Sequence, residues 1–327
     1  MNFKRKLLIF LISFVFIIPI NTMAYSKYLI PGGENIGIKV EADGIYVVGF
    51  YDVSGKEIAK EAGFQIGDRI ISINDTLVSN VSDLIKKVDS DKEYINIKYG
   101  IIRNKKSNSI TMELKKDTDG SYKTGIYVKD TITGIGTLTY IDPADNSFGA
   151  LGHEISENNT GISFVIKKGN IYPSSIASIT KASKNKPGEK NAKINMKDSY
   201  GEIKNNLETG IYGTLKEKIN DDNLVEVMDI SDVKLGKAEI ITVLDGNKKE
   251  KYEIEILSID SHHPTKNFFI KVVDSKLLEK TGGIIKGMSG SPIIQDGKLV
   301  GAITHTIVDN PSRGYGISII KMLESVK

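Results

Sequence analysis

Gly282-Gly283-Ile284-Ile285-Lys286-Gly287-Met288-Ser289-Gly290-Ser291-Pro292-Ile293-Ile294 decides how this chain is read. Two glycines enter a short β-type run, a turn of small residues carries a hydroxyl at its centre, and a proline opens a second apolar run. Serine attacks a carbonyl only when it is exposed and activated and when backbone N–H groups face the developing oxyanion. Glycine two residues before Ser289 lets the backbone turn its amides outward, so the N–H groups of Gly287 and Ser289 are the candidate oxyanion hole. A nucleophile elbow of the form G-x-S-x-G needs glycine two residues after the serine, and this chain has Ser291 there. Gly-Ser-Pro clusters between apolar runs are otherwise ordinary turns, so the supply of partners decides.

A nucleophilic serine needs a histidine base and a group to orient it, and the chain has 4 histidines. His153 follows the apolar, small-residue run Phe148-Gly149-Ala150-Leu151-Gly152, which suits an exposed base. His262 and His263 sit in the polar loop Asp260-Ser261-His262-His263-Pro264 and read as surface. His305 follows Gly301-Ala302-Ile303-Thr304 at strand period and reads as packed or half-buried. The base is therefore His153. For the acid, Asp274 closes the β-run Asn267 to Val273, with Asp260 and Asp142 as competitors. An aspartate at a strand end is also a common turn or helix cap. The order His153, Asp274, Ser289 and the form G-x-S-G-[GS]-P are those of chymotrypsin-like proteases.

With 327 residues the chain is long enough for two domains and a substantial core. Lys4-Arg5-Lys6, the apolar run Leu7 to Ile20 and the small residues Thr22 and Ala24 describe a signal peptide over 1–24, with an uncleaved membrane anchor as the alternative. Those three basic residues are the only charges in the segment; without them, 41 basic residues face 41 acidic ones. The neutral balance speaks against nucleic-acid binding. Cysteine is absent, which excludes disulfides and thiol nucleophiles. His153-Glu154 starts like H-E-x-x-H, but Glu157 stands at the fifth position, and phosphate-loop and dinucleotide patterns are missing. No metal and no cofactor are expected.

Ile30 to Val40 reads as a glycine-rich loop leading into an alternating strand, and Gly44 to Phe50 as a second strand. Ala59-Lys60-Glu61-Ala62-Gly63-Phe64-Gln65-Ile66-Gly67-Asp68-Arg69-Ile70-Ile71-Ser72-Ile73-Asn74 reads as a short helix ended by Gly63, a turn and a strand. A helix follows over Ser82 to Val88 with Ser82 as cap. Lys115 to Ser121 is a polar junction, after which short β-runs bounded by Gly, Asn or Asp succeed one another to the C-terminus. Thr180 to Asn195 is lysine-rich and reads as a solvated insert.

Residues 30–115 resemble a PDZ domain through the string quoted from Ala59 to Asn74. That resemblance implies a peptide adding as a strand beside Ile36 to Val40, with Gly33, Asn35, Ile36, Gly37 and Ile38 as the peptide-binding segment and the Ser82–Val88 helix as the far wall. The whole combination is similar to the SpoIVB (stage IV sporulation protein B) peptidase family of endospore-forming bacteria. The resemblance implies a mainly β chain, with an N-terminal PDZ domain at 30–115 and a chymotrypsin-like double β-barrel at 120–327. Its catalytic histidine, aspartate and serine fall on His153, Asp274 and Ser289. It further implies an exported, self-processing serine endopeptidase of the space between the forespore membranes. Its substrates would be membrane-associated regulatory proteins whose cleavage releases an intramembrane protease and activates a late mother-cell sigma factor. The rival readings are a non-catalytic PDZ adaptor with a protease-like domain, and an exported esterase.

Overall fold

The computed structural model describes residues 25–90, 96–116, 118, 120–219 and 223–326, so the targeting segment read at 1–24 lies outside the described residues. The described chain opens with a short strand, Tyr28–Pro31 (β1), and a 16-residue strand, Asn35–Phe50 (β2). The sequence reading split β2 into two strands at Asp43-Gly44. The structure keeps it continuous, with a shift of register between Glu41 and Tyr46. Each half serves a different unit.

The second half of β2 belongs to the PDZ unit. It pairs with Arg69–Ile73 (β3) after the short helix Ile58–Glu61 (α1), and a two-residue strand, Thr76–Leu77 (β4), turns back on β3. The helix Val81–Ser90 (α2) follows, then the hairpin Asn96–Arg103 (β5) and Lys106–Glu113 (β6). The Gly67-Asp68 turn has a physical purpose. Buried Asp68 accepts from Arg103 Nε and an Arg103 terminal nitrogen at 2.6 Å each, and from the Gln65 amide at 2.8 Å. A two-pronged pair of this kind ties α1, β3 and β5 together. The cap of α2 is Asn80, not Ser82. Its Oδ1 accepts from Asp83 N–H at 2.8 Å, while Asp130 Oδ2 takes the Val81 N–H at 2.7 Å.

After the small ribbon Lys115–Lys116 (β7) and Tyr122–Lys123 (β8) comes the second long strand, Ile126–Asp142 (β9). Its first four residues pair with the PDZ half of β2, and residues Ile132 to Thr137 pair with the other half. Ser147–Ala150 (β10), Ile166–Thr180 (β11), Gly201–Leu207 (β13) and Gly210–Leu215 (β14) then close a barrel in the order β9-β10-β14-β13-β11-β2. Glu189–Ile194 (β12) extends β11, and Val225–Glu226 (β15) pairs with β1. The second barrel closes as β16-β17-β18-β21-β20-β19 from Gly236–Val243 (β16), Lys249–Ile259 (β17), Phe268–Val272 (β18), Pro292–Gln295 (β19), Lys298–Ile307 (β20) and Asn310–Ser318 (β21). Helix Ser275–Thr281 (α3) leads into the serine loop, and Ile319–Glu324 (α4) ends the described chain.

Each unit has its own apolar centre, as alternation on closed strands requires. Ile36, Ile38, Leu138, Phe148 and Ile171 fill the first barrel, and Ile240, Ile254, Ile270, Ile293 and Ile303 fill the second. Leu29, Tyr140, Ile294, Leu299, Ile317, Ile320 and Met322 cement the two barrels and α4. Each such aliphatic chain contributes roughly 1.5–3 kcal/mol on burial.

The continuous β2 overturns the peptide-binding segment read from the sequence. Ile36 to Ile38 pair with Gly134 to Gly136 of β9 on one edge and with Ile171 to Pro173 of β11 on the other. Gly33 donates its amide to Leu138 O at 2.8 Å, and Asn35 donates to Ser174 Oγ at 2.7 Å. Gly33, Asn35, Ile36, Gly37 and Ile38 are therefore barrel residues with both edges filled, and no peptide can add there. The barrel takes residues 28–41 from the N-terminal side of the PDZ unit, so the unit is inserted within it.

The lysine-rich segment 180–195 is not wholly a solvated insert either. Lys190, on β12, is 1% exposed, with its amine 2.8 Å from Thr242 Oγ1 and 3.5 Å from Thr137 Oγ1. Burial pushes this amine down to about 7 from its ordinary 10.5. Between those two values the unfolded chain holds a proton that the folded chain has released, so stability rises with pH across that window. Lys190→Met should therefore melt at a higher temperature than the parent at pH about 7, with the gap narrowing towards pH about 10. Thermal melts across that range check it; a gap that does not depend on pH would contradict it.

Candidate active site

The loop between α3 and β19 is held almost entirely through its carbonyls. Lys286 O accepts from Lys190 N–H at 3.0 Å, Gly287 O from Thr137 Oγ1 at 2.8 Å and Met288 O from Ser291 N–H at 2.9 Å. Ser289 O accepts from Thr137 N–H at 2.9 Å, and Gly290 O from Thr139 Oγ1 at 2.9 Å. All five consecutive carbonyls are engaged. The amides of Lys286, Met288, Gly290 and Ser291 have acceptors as well, in Gly188, Ile285, Ile303 and Met288. Among the described hydrogen bonds of Lys286 to Ser291, only the Gly287 and Ser289 amides have no acceptor. Because the peptides are trans, each of these N–H groups points away from its preceding pinned carbonyl.

Glycine is required at two of these positions. Gly290 has φ +93°, and a Cβ there would lie 2.0 Å from Thr137 O. Gly287 has φ +92°, and a Cβ there would press on Lys190 Cδ at 3.1 Å. The second hydroxyl of the turn, Ser291, is fully buried. Ser289 is half-buried, and its Oγ donates to Thr304 O on β20 at 2.8 Å.

His153 reaches the same place from the first barrel. Beyond β10 the chain makes a left-handed turn through Leu151 (φ 69°) and Gly152 (φ 71°). A non-glycine residue in that region costs about 1 kcal/mol or more, and the turn carries the imidazole off the barrel end. His153, Leu151, Glu154, Lys286, Gly287 and Ser289 line one cleft of about 300 Å³ between the barrels. A larger hollow of about 450 Å³ on the second barrel, beside Glu239, Lys251 and Glu253, holds none of the candidate residues.

His153 Nδ1 lies 2.8 Å from Glu154 O. A carbonyl only accepts, so the contact puts the proton of the neutral ring on Nδ1 and leaves Nε2 as an acceptor. Burial lowers the His153 pKa below the usual 6.5, opposed in part by the Glu154 carbonyl and carboxylate. The His305 ring stands 5.2 Å from that of His153, tilted by 42°. Desolvation, then the positive charges of His153 and Lys266, push His305 down to about 4. The sequence reading set His305 aside as packed or half-buried and gave it no role, whereas its ring faces that of His153. It also gave no place to Thr137, Lys190 or Thr304. The only available signal for Thr304 and His305 was their position on the strand that follows the serine loop.

Asp274 is not brought to His153. It is the N-cap of α3: Oδ1 accepts from Leu277 N–H at 2.9 Å and Oδ2 from Glu253 N–H at 3.3 Å. The competitors have similar local duties. Asp260 accepts from the His262 and His263 amides, and Asp142 from Ala144. In this structure the partner that orients His153 is a backbone carbonyl.

A family model described as SpoIVB peptidase S55 matches residues 120–323, and a PDZ domain model matches 35–114. The chain belongs to the SpoIVB peptidase family. Like its relatives in that family, it is a serine peptidase with a PDZ domain. A search of curated proteins returned no match. Among solved structures, the inactive form of the Rv3671c protease is 11% identical over 59% of this chain and 82% of its own, with a TM-score of 0.34. A second inactive form of that protease, from M. tuberculosis H37Rv, is 11% identical over 59% and 80%, with a TM-score of 0.32. The HtrA-type protease AlgW, solved with a decapeptide, is 12% identical over 63% of this chain and 54% of its own, with a TM-score of 0.33.

Within this SpoIVB-type site, the capping geometry separates two roles for Asp274. Asp274→Ala should lower stability by about 1 kcal/mol, as loss of a helix cap does, and Asp274→Asn should retain most of it. Both variants should still label with a fluorophosphonate at rates within a few-fold of the parent. A loss of several orders of magnitude in Asp274→Asn would put the carboxylate behind His153 in a second conformation.

Proposed function

We propose that this peptidase is a self-processing endopeptidase in which Ser289 attacks the scissile carbonyl, His153 takes its proton and the Gly287 and Ser289 amides hold the oxyanion. The supporting observation is the serine loop, whose carbonyls are all engaged and whose two amides without acceptors sit in the cleft that His153 lines. In the resting arrangement the Ser289 hydroxyl donates to Thr304 O, so attack begins when Oγ rotates away from that carbonyl towards His153 Nε2. The exchange of one neutral hydrogen bond for another costs about 1 kcal/mol or less. The imidazolium that forms is held by Glu154 O at Nδ1 and gives its proton to the leaving amine.

Ser289→Ala should abolish fluorophosphonate labelling and self-cleavage, and His153→Ala should reduce labelling by several orders of magnitude. The base works only when neutral, and its pKa is lowered, so the labelling rate should climb with pH to a midpoint below 6.5. Labelling that survives Ser289→Ala, or a midpoint above the ordinary histidine value, would defeat the assignment.

Membership of the SpoIVB family supports the finer reading, in which the enzyme is exported, acts between the forespore membranes and cleaves membrane-associated regulators of a late sigma factor. A Ser289→Ala allele in the endospore-forming host should block late spore development. A strain that sporulates normally would remove the pathway and leave the chemistry.

The PDZ unit supports peptide capture at a different edge from Ile36 to Val40. Ile126 to Lys129 of β9 pair with β2 on one side only, Tyr127 is exposed, and the start of α2 is tied alongside by Asp130. A peptide adding there would lie between β9 and α2. A photo-crosslinking side chain at Tyr127 should capture peptide ligands; capture confined to the catalytic cleft would argue against it.

A further inference from the structure

We propose that Lys190 is a positioning residue for the oxyanion hole. This rests on the assignment of the Gly287 and Ser289 amides as that hole. Lys181, Lys184, Lys186 and Lys193 surround it in sequence and are exposed, as a lysine-rich segment should be, whereas Lys190 is turned under the serine loop. Of the two carbonyls beside Gly287, one bonds to this residue and the other reaches it through Thr137. Lys286 O accepts from the Lys190 amide at 3.0 Å. Gly287 O accepts from Thr137 Oγ1 at 2.8 Å, and that oxygen in turn stands 3.5 Å from Lys190 Nζ. The methylene chain lies beneath Gly287 itself, where a Cβ would meet it at 3.1 Å.

This arrangement answers a weakness of the loop. Gly287, at φ +92°, can exchange conformations that other residues resist. A flip of the Lys286–Gly287 peptide would turn its N–H out of the cleft and take away half of the hole. The Lys190 amide holds that peptide, a bond any residue would make, whereas the amine holds the Gly287 carbonyl through Thr137 Oγ1, and only the side chain supplies that second hold. Among the described residues no charge meets the amine. β16 offers Thr242 and β9 offers Thr137, while Glu189 on β12 and Lys286 in the loop face solvent. An amine buried without a counter-ion lowers stability, so packing alone does not account for it, and methionine would fill the space as well. Activity and stability should then separate on substitution.

The test uses the purified full chain and a fluorophosphonate concentration series, which resolves the limiting rate of serine modification (kinact) from reversible binding (KI). Lys190→Met should melt at or above the parent temperature at neutral pH while kinact falls about ten-fold or more, short of the 10²–10³ that follows outright loss of an oxyanion donor. KI should stay within about two-fold, because ground-state contacts are untouched. Thr137→Val should show the same split, and Thr137→Ser, which keeps the hydroxyl, should restore kinact. A folded Lys190→Met with parental kinact overturns the proposal. If that variant does not fold, equal kinact in Thr137→Val and Thr137→Ser overturns it instead. A parent that is not labelled at Ser289 removes the oxyanion assignment and the Lys190 proposal together; parental labelling leaves only Lys190 at stake.

Discussion

Thr137 grips the serine loop twice, with its backbone amide on Ser289 O and its hydroxyl on Gly287 O. Thr137 belongs to the first barrel and the loop to the second, so one residue fixes the nucleophile of one barrel to the frame of the other. Its carbonyl adds a third link, accepting from Leu151 N–H at 3.3 Å, two residues before His153. The candidate base and the candidate nucleophile are thus both referenced to a single point on β9. A Cβ on Gly290 would fall 2.0 Å from that carbonyl, so the small residue after the serine is what lets the barrels close to this distance. The apolar seam of Leu29, Tyr140, Ile294, Leu299 and Ile317 supplies the adhesion. Thr137 supplies the register, which non-directional burial cannot set.

The same strand links the PDZ unit to the site. β9 carries a PDZ edge at Ile126 to Lys129 and the joint at Thr137, with β2 beside it along both parts. Ten or so residues of paired ribbon separate a candidate peptide edge from the serine loop, and no flexible linker stands between them. Twist or slip in a β-ribbon moves both ends, because the ladder hydrogen bonds lock one strand to the other. The ladder changes register between Glu41 and Tyr46 and again between Val47 and Gly49.

What the sequence disclosed followed the range of the interactions. The serine loop and the succession of short β-strands were legible, since turn chemistry and strand alternation are local; the double barrel was implied by the SpoIVB resemblance. The string from Ala59 to Asn74 marked the PDZ unit because its glycines and the Asp68 turn onto the Gln65 amide act within a few residues, although the Asp68 pair with Arg103 spans 35 positions. That string did not say which strand lies beside the unit. Ile36 to Val40 has the composition of a groove strand, yet the barrel captures it from both sides, a pairing made with residues about a hundred or more positions away. Asp274 shows the converse. A carboxylate three residues before Leu277 at a helix start satisfies an orphan amide whatever else it does, and here that local bond is the one formed. Lys190 was illegible for a third reason: its neighbours in sequence are exposed lysines, and nothing local distinguishes the one that turns inward.

The resting geometry bears on how such an enzyme is kept quiet. Thr304 O holds the Ser289 hydroxyl, and His153 faces His305 with no carboxylate hydrogen-bonded to it among the described residues. Thr304 lies on β20 at a register shift against β21, where its Oγ1 donates to Tyr315 O at 3.1 Å. The mobile member of the pair is the serine side chain, a single rotor. A substrate strand laid along β20 would compete for the same carbonyl with a backbone N–H, and an amide donor serves it as well as the hydroxyl does. Binding would then release the nucleophile at the moment the scissile bond arrives beside it. On this reasoning the site needs no large rearrangement of the barrels to become competent; it needs an occupant for Thr304 O and a loop rigid enough that the Gly287 and Ser289 amides are already in place.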